Sequence, residues 1–412
     1  MSRLKIAQLA CYRGNIGDNA NLVGTRSLLE ANLARDIAYT DLEYLEYEPD
    51  PRWGGRKFDD GFVDIANRHD LLLIGGGGFF ELAVDASATG TPIDISPETL
   101  DKIEVPIVCY ALGFDVSAGV TAHRLDRFRD FLEHLLRRDR TLVSLRNDGS
   151  MENLRTHLGD DLARKVAKVP DGGFFTVVRP SRHVELPAGK RVIGINLAGD
   201  ALATRFADPP GQPRNLDAFL QRLAKVLNAR FEADADLHAV LVPHIPEDLQ
   251  IIWRFMDKIG PPNMRKRLTV APYLLGREAQ DYLFDLYRRC DLVVGMRFHA
   301  NVCPIGLGVP TIGIVTHPQI AALYRELGLA ERAIRPDHPT FPEALNRLID
   351  DSIARRVQIQ SRFAALRAAM QAEVSAFHRR IASLLGLHDS SRRPAGRAMP
   401  AAALTAAETR GR

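Results

Sequence analysis

The sequence contains little cysteine and none at the spacing of a metal site. The four cysteines among 412 residues, Cys11, Cys109, Cys290 and Cys303, lie far apart, and each has apolar neighbours. Isolated cysteines of this kind are typical of buried free thiols in a reducing compartment. The sequence also lacks the His-Glu-x-x-His pattern of zinc proteases and the Gly-x-Ser-x-Gly pattern of serine hydrolases. We therefore predict a cytoplasmic protein without a metal or an organic cofactor.

No stretch of the sequence is apolar over the length of a membrane-spanning helix, which is about 20 residues. The most apolar window, residues 298–315, is interrupted by His299, Asn301, two prolines and three glycines. The N-terminal segment MSRLKIAQLACYRG has early basic residues, but its apolar run is too short for a signal peptide. The sequence predicts no transmembrane segment and leaves a peripheral membrane contact open.

The sequence also has almost no surplus of charge. Its 54 lysine and arginine residues nearly balance 51 aspartate and glutamate residues, and the formal net charge is +3. The last 24 residues, 389–412, contain five arginines, one aspartate and one glutamate, so this segment alone accounts for the surplus. A broad basic face for nucleic acid is therefore not expected. The same segment lacks apolar periodicity, which predicts a disordered tail.

What the sequence does contain is an alternation of short apolar runs with longer amphipathic segments. Runs such as LKIAQLA, PIVCYAL and TLVSL are each followed by helical periodicity, and the alternation restarts at RVIGIN after a polar linker at 178–190. Such alternation predicts right-handed βαβ units and parallel sheets. We predict an N-terminal Rossmann-like domain at 1–178, a C-terminal Rossmann-like domain at 190–340, and closing helices at 341–388. The last helix is long enough to cross back over the first domain.

In open α/β sheets, ligands bind beyond the carboxyl ends of the strands, so the residues after each apolar run are the site candidates. The first run is followed by GNIGDNANL, where Gly17 permits tight backbone geometry and Asp18 is suited to cap the next helix. Backbone amides at a helix start also suit an anion or a sugar hydroxyl. Asn15, Gly17 and Asp18 are therefore candidates for substrate binding.

A run of four glycines follows the next predicted strand, and it consists of Gly75, Gly76, Gly77 and Gly78. Consecutive glycines pack no side chains and indicate close approach of a ligand or of another backbone. The run does not fit the dinucleotide fingerprint, because the third glycine of G-x-G-x-x-G would fall on Phe80. We expect no NAD site, and the four glycines are candidates for holding a substrate.

Three polar residues follow later strands, and each has a structural alternative. Arg146 in SLRNDGS either binds a ligand or packs its stem on the core. Asp171 in VPDGGFF either binds a ligand or caps a turn before two glycines. His244 in VPHIPEDLQ lies either in a site or in a solvated loop. Position alone does not decide among these alternatives.

The segment Arg297-Phe298-His299 is the strongest signal in the second half of the chain. It follows the apolar run DLVVG and precedes ANVCPIGLGVP, which is too apolar to form a surface. A fixed cation and an imidazole beside a core cost desolvation, and this cost is offset only if the groups are paired or face a ligand. We therefore predict that Arg297 and His299 act on an anionic substrate.

Taken in chain order, these motifs resemble the polysaccharide pyruvyl transferase family. The resemblance extends from about Leu4 to Leu329 and rests on GNIGDNANL, DLLLIGGGGFFEL, PIVCYALGFDVSAG, SLRNDGSMENL, VPDGGFF, VPHIPEDLQ and DLVVGMRFHANVCPIGLGVPTIGI. It implies a glycosyltransferase-B-like fold, with two doubly wound parallel-sheet domains that face a cleft. It also implies transfer of pyruvate from phosphoenolpyruvate to two sugar hydroxyls, which forms a cyclic ketal in the synthesis of an exopolysaccharide or another cell-surface glycan.

The resemblance implies roles for three residues. Arg146 and Arg297 match the family's arginines and would hold the phosphate and carboxylate of phosphoenolpyruvate, which suit a guanidinium fork. His299 matches the family's histidine and would act as general acid or base. The expected partners are phosphoenolpyruvate as co-substrate and a nucleotide-linked or lipid-linked sugar acceptor. The sequence departs from the family pattern at Asn147, where an acidic residue is usual, and at Gln319, where a lysine is usual.

Two other functions fit the same residues. A nucleotide-sugar glycosyltransferase or epimerase would use the glycine-rich loops and the cationic strand end to hold a diphosphate. A non-catalytic sugar-binding relative would keep the fold without the activity. The presence of Gln319 in place of the family's lysine keeps this last alternative open.

Overall fold

The computed structural model describes residues 3–48, 54–117, 119–206 and 215–387. The tail predicted at 389–412 lies outside these residues. Within the described ranges, no helix combines the length and the apolar composition needed to cross a bilayer.

The first half of the described chain forms a six-stranded parallel sheet with the strand order β2-β1-β3-β4-β5-β6. Its strands are β1 (Leu4–Ala10), β2 (Ile37–Glu43), β3 (Leu71–Gly75), β4 (Ile107–Leu112), β5 (Thr141–Leu145) and β6 (Ala167–Lys168). Its helices are α1 (Ile16–Leu33), α2 (Asp60–Asn67), α3 (Pro97–Asp101), α4 (Ala122–Arg137), α5 (Ser150–Leu158) and α6 (Asp160–Ala163). The winding direction reverses between β1 and β3, which makes this a topological switch point.

The second half forms another six-stranded parallel sheet, with the order β12-β11-β10-β7-β8-β9. Its strands are β7 (Arg191–Asn196), β8 (Leu237–Leu241), β9 (Leu268–Val270), β10 (Leu292–Gly295), β11 (Thr311–Ile314) and β12 (Ala333–Ile334). Its helices begin with α7 (Leu202–Arg205), α8 (Leu216–Ala233), α9 (Asp248–Ile259), α10 (Pro261–Lys266) and α11 (Arg277–Arg288). They continue with α12 (His299–Gly306), α13 (Pro318–Glu326), α14 (Phe341–Ala354) and α15 (Arg356–Leu384). Here the switch point lies between β7 and β10.

Three interior strands, β3, β4 and β10, are apolar along their whole length because helices cover both faces of each sheet. β3 reads LLLIG, β4 reads IVCYAL and β10 reads LVVG, and every residue in them is buried. These are the runs from which parallel strands were predicted. The predicted fold class, two doubly wound parallel-sheet domains, is confirmed.

β2 and α2 were not predicted from the sequence, and α1 begins before Asp18, its predicted cap. β2 is an edge strand with exposed residues at its centre, so its apolar run is broken. α1 begins at Ile16 because Asn15 is its N-cap, with the Asn15 side chain accepting from the Gly17 backbone amide at 2.9 Å. The prediction that Asp18 caps this helix is therefore wrong, and Asp18 lies within the first turn.

The closing helices pack on different domains. α14 adds Phe341, Leu345 and Ile349 to the core of the second domain. α15, which is 29 residues long, crosses to the first domain and packs there with β1, β3 and β4. Its buried His378 hydrogen-bonds Asn32 through Nδ1 at 2.8 Å and the Tyr110 hydroxyl through Nε2 at 2.9 Å. The last long helix thus lies in an apolar cluster that residues of both domains share.

Candidate functional site

Charged side chains from both domains meet where the carboxyl ends of the two sheets face each other. Asp18 follows β1, Arg146 follows β5 and Asp171 follows β6, whereas Arg297 and His299 follow β10. The His299 ring lies between two carboxylates of the first domain. Its Nδ1 is 3.8 Å from Asp18 Oδ1, and its Nε2 is 3.5 Å from Asp171 Oδ1. We call these five residues the charged cluster.

His299 is the first residue of α12, and its side chain is only 5% exposed. Its Nε2 is buried and forms no hydrogen bond with the described residues, and its distance to Asp171 Oδ1 is 3.5 Å. The ring packs so closely on α1 that a Cβ at Gly17 would lie 2.4 Å from His299 Cβ. A close approach between the domains therefore accounts for Gly17, and its predicted contact with a substrate stays a prediction.

Asp171 is fully buried and strongly hydrogen-bonded. Its Oδ2 accepts from Asn21 Nδ2 at 2.6 Å, and its Oδ1 accepts from the Gly173 amide at 2.8 Å. Burial acts to raise the pKa of the Asp171 carboxyl, but the nearby His299 and Arg146 outweigh it and hold the pKa below its usual value. Asp171 is therefore ionised at neutral pH, and it both caps its turn and contributes a negative charge to the cluster.

Arg146 is buried and makes contacts with both domains. Its guanidinium lies 4.5 Å from the ring centroid of Phe298, which belongs to the second domain. Its Nε donates to Asp148 Oδ2 at 2.5 Å. Gly113 lets it approach, since a Cβ at that position would lie 2.7 Å from Arg146 Nη2. The guanidinium of Arg146 itself makes these contacts, so packing of the aliphatic stem on the core does not by itself account for the residue.

Arg297 is also buried and paired. Its Nε donates to Asp248 Oδ2 at 2.8 Å, and its Nη2 donates to Asp200 Oδ1 at 2.8 Å. Its backbone amide donates to Asn196 Oδ1 at 2.9 Å, which fixes the turn after β10. Asp248 is fully buried, so this ion pair is part of the second domain's structure. Each arginine of the cluster thus already has a carboxylate partner within its own domain.

The sequence reading did not identify Asp148, Asp200 and Asp248 as these partners. Asp148 lies two residues after Arg146, Asp200 follows β7 and Asp248 follows β8. All three obey the strand-end rule used to find the arginines. That rule gives the edge of the sheet on which a residue lies, but pairing depends on side-chain orientation, which the sequence does not encode locally.

His244 lies behind the cluster and not in a solvated loop, because it is fully buried. Its amide donates to Asp248 Oδ2 at 2.9 Å, and its Nε2 hydrogen-bonds the Tyr287 hydroxyl at 3.0 Å. Burial lowers its pKa well below the usual value, and the nearby Arg297 and His299 lower it further. His244 is therefore a neutral group that supports the wall of the site.

Most of the four-glycine run at the end of β3 lets other parts of the backbone pack closely against it. A Cβ at Gly75 would lie 2.8 Å from the Tyr110 carbonyl oxygen, and the Gly77 carbonyl accepts from the Gly113 amide at 3.1 Å. Gly78 differs because it is exposed, and a Cβ there would be 3.9 Å from the guanidinium of Arg146. Packing within the protein accounts for the other positions, so substrate contact remains a prediction chiefly for Gly78.

Asp18 is the cluster residue with the largest exposed fraction, 22% of its side chain. Burial raises the pKa of its carboxyl above the usual value, although His299 and Arg146 act in the opposite direction. A carboxylic acid with a raised pKa that still reaches solvent is suited to proton transfer.

A cavity of about 440 Å³ lies between the domains, and none of the five cluster residues lines it. Its lining includes Asp115, Ser117, Asp148, Glu152, His317 and Gln319. Gln319 Nε2 donates to Asp148 Oδ2 at 2.6 Å, and His317 Nε2 hydrogen-bonds the Ser117 hydroxyl at 2.9 Å. Asp148 therefore links the cavity wall to Arg146. In the described part of the chain, no three His, Cys, Asp or Glu side chains are arranged to hold a metal ion.

Solved structures similar to this chain include an epimerase and a glycosyltransferase. A putative UDP-N-acetylglucosamine 2-epimerase from Listeria monocytogenes superposes with a TM-score of 0.58 at 14% identity, covering 94% of this chain and 98% of that chain. A glycosyltransferase from Rickettsia africae gives 0.57 at 10% identity, covering 94% and 100%. At these identities the likeness shows the fold alone, and it confirms the predicted glycosyltransferase-B-like architecture.

A comparison with curated proteins gives no match. A family model, described as polysaccharide pyruvyl transferase, matches residues 15–318. The match includes every residue of the charged cluster and all strands of the two sheets except β1 and β12. Because it covers more than half of the sequence, the chain belongs to the polysaccharide pyruvyl transferase family.

Proposed function

We propose that this protein transfers pyruvate from phosphoenolpyruvate to a sugar and forms a cyclic ketal in the synthesis of a cell-surface polysaccharide. The observation that carries the proposal is the meeting of Arg146, Arg297 and His299 at one interdomain site within the family match. Arg146 belongs to the first domain and lies 151 positions before Arg297. Arg297 and His299 belong to the second domain and are 2 positions apart, so the fold has to bring Arg146 to them.

The reaction requires two anions to be held and two protons to be moved. Two sugar hydroxyls form bonds to C2 of the donor, the methylene C3 becomes a methyl group, and the bond from C2 to the phosphate oxygen breaks. One hydroxyl proton ends on C3, and the other leaves with phosphate. Arg146 and Arg297 supply buried guanidinium groups that suit phosphate and carboxylate. His299 lies between two carboxylates, an arrangement suited to proton transfer.

The charge balance of the site sets a condition on donor binding. Arg146 is paired with Asp148, and Arg297 is paired with Asp248 and Asp200. A trianionic donor must therefore compete with carboxylates already in place. Gln319 is neutral and donates to Asp148, where a lysine would add a positive charge. We infer that the protein binds phosphoenolpyruvate more weakly than a relative that has the lysine.

The location and the partners are part of the same proposal. All four cysteines are free thiols, which supports a cytoplasmic enzyme. The substrates would be phosphoenolpyruvate and a nucleotide-linked or lipid-linked sugar, without a cofactor. The interdomain cavity of about 440 Å³ is large enough for a monosaccharide unit beside the donor.

One assay tests the function directly. Purified protein is incubated with phosphoenolpyruvate and a panel of nucleotide-linked and lipid-linked sugars, and phosphate release and acceptor mass are both recorded. We expect equal amounts of phosphate and of an acceptor carrying one pyruvyl ketal. Release of a nucleoside diphosphate from a nucleotide sugar would instead identify a glycosyltransferase. Sugar binding without phosphate release from phosphoenolpyruvate would identify a non-catalytic relative.

A further inference from the structure

Three side chains of the charged cluster form a line through the imidazole of His299. Asp171 lies at Nε2 of the ring, and Asp18 lies at Nδ1, on the opposite side. The exposed fraction of the side chain rises along this line from 0% at Asp171 to 5% at His299 and 22% at Asp18. Asp18 is therefore the end of this line with the most exposed side chain.

The buried end of the line is fixed. The Asp171 carboxylate accepts hydrogen bonds from Asn21 and from the Gly173 amide, and the Arg146 guanidinium lies 3.8 Å away. Asp171 therefore places a fixed negative charge 3.5 Å from Nε2 of the imidazole. The Asp171 side chain has no exposed surface, so it does not itself contact a substrate that enters from solvent.

We propose that Asp18 is the catalytic acid of the pyruvyl transfer, and that His299 and Asp171 are positioning residues that act through it. The proposal rests on the function proposed above and refines it, because it assigns the proton delivery to a residue that reaches the open side of the site. Gly17, which precedes Asp18, lets α1 approach the imidazole closely and so keeps the two groups adjacent.

The groups around Asp18 favour a carboxyl group that can donate a proton. The titratable and charged groups that face it from the elements around it are Cys11, Arg146, Asp171, Arg297, His299 and Cys303. Burial has the largest effect on the Asp18 carboxyl and raises its pKa, and the negative charge of Asp171 acts in the same direction. A larger share of Asp18 is therefore protonated near neutral pH than of an exposed aspartate.

The proposed proton path balances over the whole reaction. Asp18 gives its proton to C3 as the C2–C3 double bond is lost, the first hydroxyl adds to C2, and the proton of that hydroxyl returns to the carboxylate. Asp18 then protonates the bridging oxygen of the phosphate as the bond to C2 breaks. The second hydroxyl adds to C2, and its proton restores the acid. Phosphate and the ketal are the products.

The test compares Asp18→Asn with a matched control, Asp60→Asn. Asp60 lies in the first turn of another helix of the same domain, α2, and its exposed side chain pairs with Lys102 outside the site. We expect Asp18→Asn to lower kcat for phosphate release by about 10²–10⁴-fold with little change in the KM for phosphoenolpyruvate. We also expect the variant to lose the fall in rate at high pH that marks a catalytic acid. Asp60→Asn should match the wild type.

A second variant separates catalysis from folding. Asp18→Glu keeps a carboxyl group and should recover part of the rate that Asp18→Asn loses, although it fills the same space less well. An Asp18→Asn enzyme with wild-type kcat and an unchanged pH profile would refute the assignment while leaving pyruvyl transfer intact. A wild-type enzyme that releases no phosphate with any acceptor would refute pyruvyl transfer itself.

Discussion

Replacing Gly17 by alanine should separate the two halves of the charged cluster. The added methyl group would lie 2.4 Å from His299 Cβ and 2.5 Å from its Cγ and Nδ1, whereas ordinary contacts of this kind are 3.4 Å or longer. Either α1 or the imidazole must therefore move by about 1 Å. A displacement of that size in a catalytic group can cost about 10²-fold in rate, and overpacking a core costs about 1–3 kcal/mol.

Gly61 provides the matched control, because it is the second residue of α2 as Gly17 is of α1. A Cβ at Gly61 would meet only its own cap, Asp59 Oδ1, at 3.2 Å. We expect Gly17→Ala to lower both the phosphate-release rate and the midpoint of thermal unfolding, while Gly61→Ala changes neither or raises stability by about 0.5–1 kcal/mol. Wild-type rate and stability in Gly17→Ala would refute the close packing of α1 on His299.

Three further predictions concern charge. Gln319→Lys should lower the KM for phosphoenolpyruvate about 10-fold by adding a cation beside Asp148, and Gln319→Met, which adds none, should not. Arg297→Lys should raise that KM and also lower thermal stability, because buried Asp248 loses its bidentate partner; an unchanged KM would contradict donor binding by Arg297. Burial lowers the pKa of His378 to about 4 from 6.5. The folded state therefore takes up this proton less readily than the unfolded state, and unfolding in urea should show a loss of about 3 kcal/mol between pH 6.5 and 4, which His378→Gln should reduce.

The fold could be predicted from the sequence because several of its central strands can be recognised from local composition alone. β3, β4 and β10 are uninterrupted apolar runs, and turns and helices separate them at regular spacing. β2 was not predictable in this way, since an edge strand with one exposed face shows no continuous run. The start of α1 was misplaced because Asn15 and Asp18 are both good capping residues, and only the backbone decides between them.

The site was predictable as a set of residues but not as a geometry. The strand-end rule found Arg146, Arg297 and His299, which the fold does bring together. It did not show that both arginines are paired with carboxylates, because these bonds depend on side-chain directions set by packing. The four-glycine run was predicted to admit a ligand or another backbone, and Gly75 and Gly77 lie against the backbone of Tyr110 and Gly113, while contact of the run with a substrate stays a prediction.

The route of α15 has a consequence for how the domains move. The chain passes between the domains once through the linker before β7 and again between α14 and α15. Because the chain crosses between the domains twice, opening of the cleft should be a rotation about the axis that joins the two crossings. A single linker would leave the domains free to move in other directions. A single proteolytic cut in the linker should accordingly leave two fragments that stay together, with the helix of the second fragment bound to the first through His378 and its neighbours.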